Sequence, residues 1–376
     1  MIVALLVLAT AGGAQVAGDV VSVTEFAELV ADPGGEAEDW QPAFQAAIEE
    51  AWETHQPVYV PAGEYKIRKV ITVGATGEEG KSWTHNSIQI VGAGQYDSVI
   101  LQEVETENCI DWTGPTYKDS AARGRLANLT LRGSTTCLNI KWHNYFTLDS
   151  CYIVGAVENG VYSEGWSSRF LNSTIRWCKG AGIMGRAHFN NCVIRDCYFS
   201  RDGVGIWLSG VHGSRVESCG LELCAKAAIS LRGIHGLTIN NTYFEGNGYK
   251  NVTHLPVEGH ANTIHLDYIC EGIRIHDCIF RANLDPDGAL ISIADCRGGH
   301  IYDNYFYCST EHENGIMLRS GPEGQPQKVG VISDLTVERN WFHNIAKPLT
   351  EDAEGLIDGA VEAGCKLDLA KAEDTE

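Results

Sequence analysis

The sequence predicts an all-β fold, a single right-handed parallel β-helix with an N-terminal capping helix. Two observations support this: a short apolar strand recurs along the chain, and a second strand follows most of its copies. The intervals between copies are 23, 22, 23, 23, 35, 27 and 25 residues. The copies begin at Leu138, Val161, Ile183, Ile206, Ile229, Ile264, Ile291 and Ile316. Because a strand advances about 3.3 Å per residue, such an interval traces one coil of three short strands and their turns.

The second strand of each repeat contributes two columns of residues. The first column contains Cys151, Cys197, Cys219, Thr242, Cys278, Asn304 and Asn340. The second column, two residues on, contains Phe199, Phe244, Phe280, Phe306 and Phe342. Residues i and i+2 of a strand share a face, so both columns are predicted to point inward. The 13 cysteines are therefore predicted to be mostly free thiols, with a disulfide between Cys270 and Cys296 left open.

The segment 39–53 precedes the repeats and is predicted to form a helix. Asp39 is the expected N-cap, and Phe44, Ile48 and Trp52 form an apolar stripe. The open end of a β-helix is a sheet edge that needs a cover, and this helix is predicted to provide it. The β-helix is expected to extend over residues 18–348, followed by an acidic tail over 349–376.

The first 17 residues are predicted to be a signal peptide. Ile2 to Ala9 is wholly apolar and a stretch of small residues follows it, although no Lys or Arg precedes the apolar run. No other apolar run approaches the roughly 20 residues that cross a membrane. The sequence therefore predicts an exported protein, which is secreted, periplasmic or held at the cell surface.

The net charge of −21 is concentrated at the two ends of the chain. Residues 1–60 carry ten acids and no Lys or Arg, and residues 351–376 carry nine acids and two Lys. The remaining 30 acids and 26 bases leave residues 61–350 at −4. This pattern favours solubility and lacks the basic footprint of a nucleic-acid-binding protein.

The segment from Ala43 to Ile48 (AFQAAI) and the segment from Val58 to Ile67 (VYVPAGEYKI) resemble the N-terminal signature of the pectate-lyase-like superfamily. Rhamnogalacturonase- and epimerase-like proteins and phage tailspikes share that signature. The close match covers 39–67, and the repeats extend a looser likeness to about residue 345. The resemblance implies a parallel β-helix that acts on a polysaccharide, with the substrate groove on the outward face of the first strand. The catalytic motifs of polygalacturonases and of well-known pectate lyases are absent from the sequence, so the resemblance does not select a reaction.

The first strand of each repeat also presents two outward columns. One contains Asp111, Asn139, Tyr162, Met184, Trp207, Ser230, His265, Ser292 and Met317. The other contains Thr113, Lys141, Glu164, Arg186, Ser209, Arg232, Asp267, Ala294 and Arg319. The aromatic members can stack on sugar rings, and the cationic members, Arg319 included, can bind the carboxylates of a uronic-acid polymer.

A structural interpretation competes with this one. Lys141, Glu164 and Arg186 alternate in sign on successive rungs, which favours ordinary cross-strand ion pairs. Met184 and Met317 fit a plain surface or a contact between copies of the chain, which leaves a homo-oligomer open.

The strongest candidate for a catalytic site is the cluster of Arg232, His265 and Asp267, flanked by Trp207 and Asp295. His265 and Asp267 share a strand face one rung from Arg232. Insertions at 245–262, 281–288 and 321–328 border the same rungs, and long loops on a rigid scaffold usually surround a functional site.

Two reactions fit different members of these columns. A lyase needs a base for the proton next to a uronate carboxylate, and His265 or Lys141 is the candidate. Arg232 and Arg186 would stabilise the negative charge that develops. The sequence is therefore interpreted as an acidic-polysaccharide lyase. A hydrolase, an epimerase and a non-catalytic glycan-binding or structural protein are the alternatives.

Hydrolysis would instead use a pair of carboxyl groups, and Asp267 and Asp295 lie on neighbouring rungs. A Ca²⁺ ion at Glu164, Asp267 or Asp295 is left open, although the sequence contains no calcium-loop motif that would support it.

Overall fold

The structure is a computed structural model of the 376-residue chain. It describes residues 19–74, 87–114, 121–248, 261–285, 287–319, 332–351, 357–358, 361–363 and 366–368. The predicted signal peptide, most of the insertion 245–262 and the insertion 321–328 lie outside the described residues.

Three parallel sheets wind around one core. The nine strands that lie only in the first sheet are Ile71–Gly74, Ile110–Thr113, Thr136–Lys141, Asn159–Glu164, Ala181–Arg186, Val204–His212, Ala227–His235, Asn262–Glu271 and Ala289–Ile293. The short strands Cys296–Arg297, Ile332–Ser333 and Ile357–Asp358 continue its far end. The ten strands that lie only in the third sheet are Gly63–Ile67, Ser98–Gln102, Thr130–Gly133, Tyr152–Val154, Thr174–Arg176, Tyr198–Ser200, Gly220–Glu222, Tyr243–Asn247, Ile279–Asn283 and Lys366–Asp368. Tyr305–Leu318 and Trp341–Glu351 each run through the third and the first sheet.

The second sheet lies between the other two along each rung and has 13 short strands. They are Val21–Ser22, Val58–Val60, Gln89–Gly92, Arg125–Ala127, Thr147–Asp149, Arg169–Leu171, Val193–Arg195, Arg215–Glu217, Thr238–Asn240, Arg274–His276, His300–Tyr302, Thr336–Glu338 and Val361–Ala363. A separate two-stranded pair joins Ala121–Ala122 to His143–Asn144. The last strands, at 357–368, pair onto the preceding rung, so the coil continues into the segment predicted as an acidic tail.

The predicted stacking of rungs is confirmed. Leu138 pairs with Val161, Val161 with Ile183, and the register continues through Ile206 and Ile229. It then crosses the longest insertion and reaches Ile264, Ile291 and Ile316 without slipping. A one-residue slip would turn every apolar side chain outward, so the buried face fixes the register.

Both inward columns are confirmed. The cysteine column is buried throughout, as are Thr242, Asn304 and Asn340. Phe244, Phe280, Phe306 and Phe342 stack with ring centroids 4.8, 4.6 and 4.6 Å apart. Leu221 occupies the intervening rung between Phe199 and Phe244, so Phe199 stands apart from this stack.

The capping helix spans Gln41–Thr54, preceded by a 3-10 helix over Val23–Leu29. Phe44 and Ile48 are fully buried against the core, and Trp52 packs beside them. The predicted N-cap is wrong by one residue, because Trp40 occupies that position. Asp39 still anchors the helix start, since its Oδ1 accepts hydrogen bonds from the backbone N–H groups of Gln41 and Arg68.

All 12 cysteines in the described residues are buried and free. Cys270 and Cys296 pair as neighbours on adjacent rungs, yet they form no disulfide. Burial raises the pKa of Cys137 and of Cys151 to about 12, which keeps both thiols protonated. In the part of the chain that the structure describes, no helix is long and apolar enough to cross a membrane.

Asp202 is a fully buried carboxyl group at a position where other rungs have an uncharged residue. Its Oδ1 accepts a hydrogen bond of 2.8 Å from the backbone N–H of Cys178, and burial raises its pKa well above the ordinary value. Two rungs on, Asn247 accepts the equivalent bond from Cys224 and also donates to the carbonyl of Leu221. An amide therefore satisfies the site that Asp202 leaves partly unsatisfied.

Replacing Asp202 with asparagine is expected to stabilise the protein at neutral pH. Above about pH 4 the unfolded chain has lost this proton while the folded chain still holds it. The free energy of unfolding then falls by about 1.4 kcal/mol per pH unit until the raised pKa is reached. Urea unfolding of wild type and Asp202→Asn across this range should show a gap that widens as pH rises. A constant gap would contradict a protonated, buried Asp202.

Candidate functional site

The two outward columns on the first sheet form in the predicted register. Asp111 and Asn139, then Tyr162, Met184 and Trp207, are successive neighbours. The column continues through Ser230, His265, Ser292 and Met317. Not all of its members face solvent, however. Ser292 is fully buried and Asn139 is 8% exposed, so neither can contact a polymer as freely as Trp207, which is 40% exposed.

The N-terminal half of this surface is a cavity of about 390 Å³. Lys141, Tyr162, Met184 and Arg186 from the first sheet line it, together with residues of the preceding turns. The Lys141 ammonium lies 5.6 Å from the centre of the Tyr162 ring. This half, named the proximal cavity, therefore brings together three of the predicted substrate-binding residues.

The predicted ion pairing of Lys141, Glu164 and Arg186 is wrong. Glu164 instead accepts a short hydrogen bond from the hydroxyl of Tyr162, two residues away on the same strand face. Burial and this bond raise the pKa of Tyr162 to about 12. Neither Lys141 nor Arg186 makes an ion pair with any residue that the structure describes. Both cations are left to interact with a ligand.

The C-terminal half, named the distal cluster, contains Arg232, His265, Asp267 and Asp295. Arg232 and Asp267 are direct neighbours on adjacent strands, and His265 lies two residues before Asp267. Arg232 is exposed and makes no ion pair with Asp267 or with any other described residue. Its guanidinium lies 5.6 Å from the centre of the Tyr268 ring.

A β-bulge beside Asp267 shapes the distal cluster. The register shifts here because the strand contains one extra residue. Cys270 follows Asp267 by three residues, whereas their partners Ile234 and Arg232 are two residues apart. Tyr268 and Ile269 have positive φ values of 53° and 44°. A β-branched residue seldom adopts this left-handed conformation, and such strain is concentrated at functional sites. The bulge turns Tyr268 toward Arg232, a position that the sequence did not predict.

The distal cluster also contains two buried carboxylate oxygens. The Oδ1 atoms of Asp267 and Asp295 are inaccessible to solvent and have no hydrogen-bond partner among the described residues. The backbone carbonyl of Asp295 accepts a 3.2 Å hydrogen bond from the N–H of Cys270. Burial, Cys296 and then both carboxylates raise the pKa of Cys270, which lies beside the two acids. A buried unsatisfied oxygen is unfavourable unless a ligand or proton completes it.

The other predicted site residues lie further from the distal cluster. Lys141 lies four rungs from Arg232, about 19 Å by strand spacing, so it cannot be the base beside that arginine. Arg319 is two rungs beyond Asp267, and its Nε donates to the sulfur of Met317 at 3.3 Å. Trp207 lies between the proximal cavity and the distal cluster and connects them.

No group of three or more His, Cys, Asp or Glu side chains arranged to hold a metal ion occurs within the described ranges. Asp267 and Asp295 would provide two carboxylate ligands to a Ca²⁺ ion, which usually takes six to eight oxygens.

Residues 136–284 match the family model described as a right handed beta helix region. The chain therefore has a right-handed parallel β-helix fold. No curated protein matches its sequence.

Solved structures share the β-helix over most of the chain. An N-terminal fragment of bacteriophage Phi29 gene product 12 aligns with a TM-score of 0.65 and 14% identity, over 92% of this chain and 66% of that one. Geobacillus virus E2 ORF18 gives 0.56 and 16%, over 93% and 62%. The A-module of Azotobacter vinelandii mannuronan C-5 epimerase AlgE4 gives 0.53 and 17%, over 93% and 97%. The chain thus spans less than two thirds of the Geobacillus virus protein and 66% of the Phi29 fragment, and at these identities the likeness shows the fold.

Proposed function

We propose that this β-helix is an exported polysaccharide lyase that binds an acidic polysaccharide along the outward columns of its first sheet. The observation that carries the proposal is a line of cations without ion pairs, Lys141, Arg186 and Arg232, which ends at His265 and Asp267. Guanidinium groups bind carboxylates in a two-pronged geometry, and Tyr162 and Trp207 offer ring faces to sugars. Residues 1–17 would direct export.

The lyase reaction assigns a role to each distal residue. His265 removes the proton from C5 of a uronate, the bond from C4 to the leaving O4 breaks, and a C4–C5 double bond forms. The departing oxygen takes a proton from solvent. Arg232 stabilises the charge that develops on the uronate carboxylate, and Asp267 stabilises the imidazolium formed at His265. The AlgE4 module, an enzyme of this fold named for mannuronan, supports a reaction at C5.

A second candidate is hydrolysis by Asp267 and Asp295. The observation that favours it is the pair of buried carboxylate oxygens, because a glycoside hydrolase needs two carboxyl groups across the scissile bond. A C5 epimerase would share the first step of the lyase and return the proton to the opposite face.

A panel of polygalacturonate, alginate, glycosaminoglycans and neutral dextran tests these reactions. Ultraviolet absorbance detects the unsaturated uronate of a lyase, and reducing ends without absorbance indicate hydrolysis. Exchange of the C5 hydrogen with deuterated solvent, without chain cleavage, indicates an epimerase. We expect absorbance to rise on at least one uronate polymer and not on dextran. No signal in any of the three assays would overturn the enzymatic proposal and favour a glycan-binding β-helix.

A further inference from the structure

A second charged surface lies on a different side of the coil from the site described above. The first residue of alternate strands in the second sheet is an arginine, and the residue between two arginines is small or medium-sized. In rung order the column reads Arg125, Thr147, Arg169, Val193, Arg215, Thr238 and Arg274. Because adjacent strands are about 4.8 Å apart, consecutive arginines are about 9.6 Å apart along the helix axis.

The first three of these arginines border a cavity of about 530 Å³, larger than the proximal cavity. Thr147 and Val193 form its floor between the arginines, and Arg123, Tyr145 and Asn191 contribute from the turns that precede the strands. We name this surface the arginine groove. It runs along the coil over five successive rungs.

The charges of the groove are largely available to a ligand. Arg125 makes one ion pair, with Asp149 at 3.1 Å. Arg123, Arg169 and Arg215 are exposed, and none of them makes an ion pair with a residue that the structure describes. In a chain of net charge −21, such a row of unpaired cations is a local exception.

The turns before the second sheet also present side chains to the arginine groove. The turn before the second sheet repeats a left-handed residue on every rung from 123 to 298, in the order Arg123, Tyr145, Ser167, Asn191, Gly213, Gly236, Gly272 and Gly298. Four rungs use glycine, which adopts this conformation without a steric penalty. Arg123 and Tyr145, with φ of 68° and 55°, hold large side chains there despite the strain. Tyr145 is also 54% exposed, so core packing does not explain it.

We infer that the arginine groove is a second binding site for a linear acidic polysaccharide, with its carboxylate or sulfate groups on the arginines and a sugar ring against Tyr145. The regular arginine spacing suits a polymer that carries anionic groups at a fixed repeat. This inference does not depend on the reaction at the first sheet. It adds a site that would hold a polymer on another side of the coil.

Affinity electrophoresis in gels containing polygalacturonate, heparin or dextran tests the groove. Arg169→Ala combined with Arg215→Ala should weaken retention by polygalacturonate or by heparin at least tenfold, and which gel shows the loss distinguishes carboxylate from sulfate recognition. Arg195→Ala is the matched control, because Arg195 lies on the same sheet but is engaged by Asp196 and Glu217. The same variants are also made in an Arg232→Ala background. Retention that the groove provides is then distinguished from retention that the first sheet provides.

Two single variants separate binding from folding. Arg123→Gly and Tyr145→Gly should weaken retention while the thermal unfolding midpoint stays equal or rises, since glycine relieves the left-handed strain. A lowered midpoint in both would assign these residues a structural role and contradict the inference. Equal retention of the double variant and Arg195→Ala would overturn it, as would retention on single-stranded DNA as strong as on any polysaccharide.

Discussion

Replacing Arg232 with alanine is expected to lower turnover of a uronate polymer by about 100-fold, a typical effect of removing one preorganised donor of charge stabilisation. The thermal unfolding midpoint should hardly change, because Arg232 is exposed and its guanidinium lies over the face of Tyr268 rather than in the core. Arg232→Lys should recover only part of the activity, since an ammonium lacks the planar fork of the guanidinium. Initial rates by ultraviolet absorbance measure all three proteins.

The control for this prediction is Arg195→Ala, which removes the same charge from a different face of the coil. It should leave the rate within about twofold of wild type, since long-range charge effects are screened over about 10 Å in salt. Unchanged activity in Arg232→Ala would place the chemistry elsewhere. His265→Ala would then show whether any part of the distal cluster takes part.

Replacing Phe280 with alanine is expected to destabilise the coil by about 4 kcal/mol, as large-to-small substitutions of buried phenylalanine do. The ring is fully buried and is stacked on both sides, 4.8 Å from Phe244 and 4.6 Å from Phe306. Its removal leaves a gap in the column and deprives two neighbours of a stacking partner. Urea unfolding followed by circular dichroism gives the change in free energy.

The matched control is Ile279→Ala, one residue earlier on the same strand. Ile279 points outward and is 45% exposed, so its truncation should change stability by less than about 1 kcal/mol. A similar loss in both variants would mean that the phenylalanine column does not carry the stability of these rungs.

The third sheet was predictable because a buried Cys or Asn and a Phe recur two residues apart on successive rungs, and the first because its strands are long enough to show alternation. Ile206 and Leu208, for example, flank the outward Trp207, and the pattern returns on each rung. The rung length left room for a third strand, but the strands of the second sheet were not located, because most of them have three residues and only the central one faces inward. Arg169, Phe170 and Leu171 illustrate this: one buried ring between two outward side chains leaves no periodicity to detect.

The candidate site was predictable to the level of register and no further. Alternation and rung length place Arg232 beside Asp267, because those relations follow from backbone geometry. They do not decide which partner a side chain takes, and Glu164 bonds Tyr162 on its own strand rather than Lys141 across the ladder. Nor do they predict the bulge at Tyr268, because the intervals between repeats vary from 22 to 35 residues and one extra residue does not stand out among them.

The free cysteines have a consequence for how the coil opens. Those in the described residues extend from Cys109 to Cys308 along the axis and are all buried, so thiol reagents do not reach them in the native coil. Stacked repeats tend to lose structure rung by rung from their ends rather than all at once. Each thiol therefore becomes reactive only when its own rung opens. The order in which the cysteines are alkylated therefore reports the order in which the rungs open. Two thiols exposed at the same time can also form a crosslink before the coil closes again.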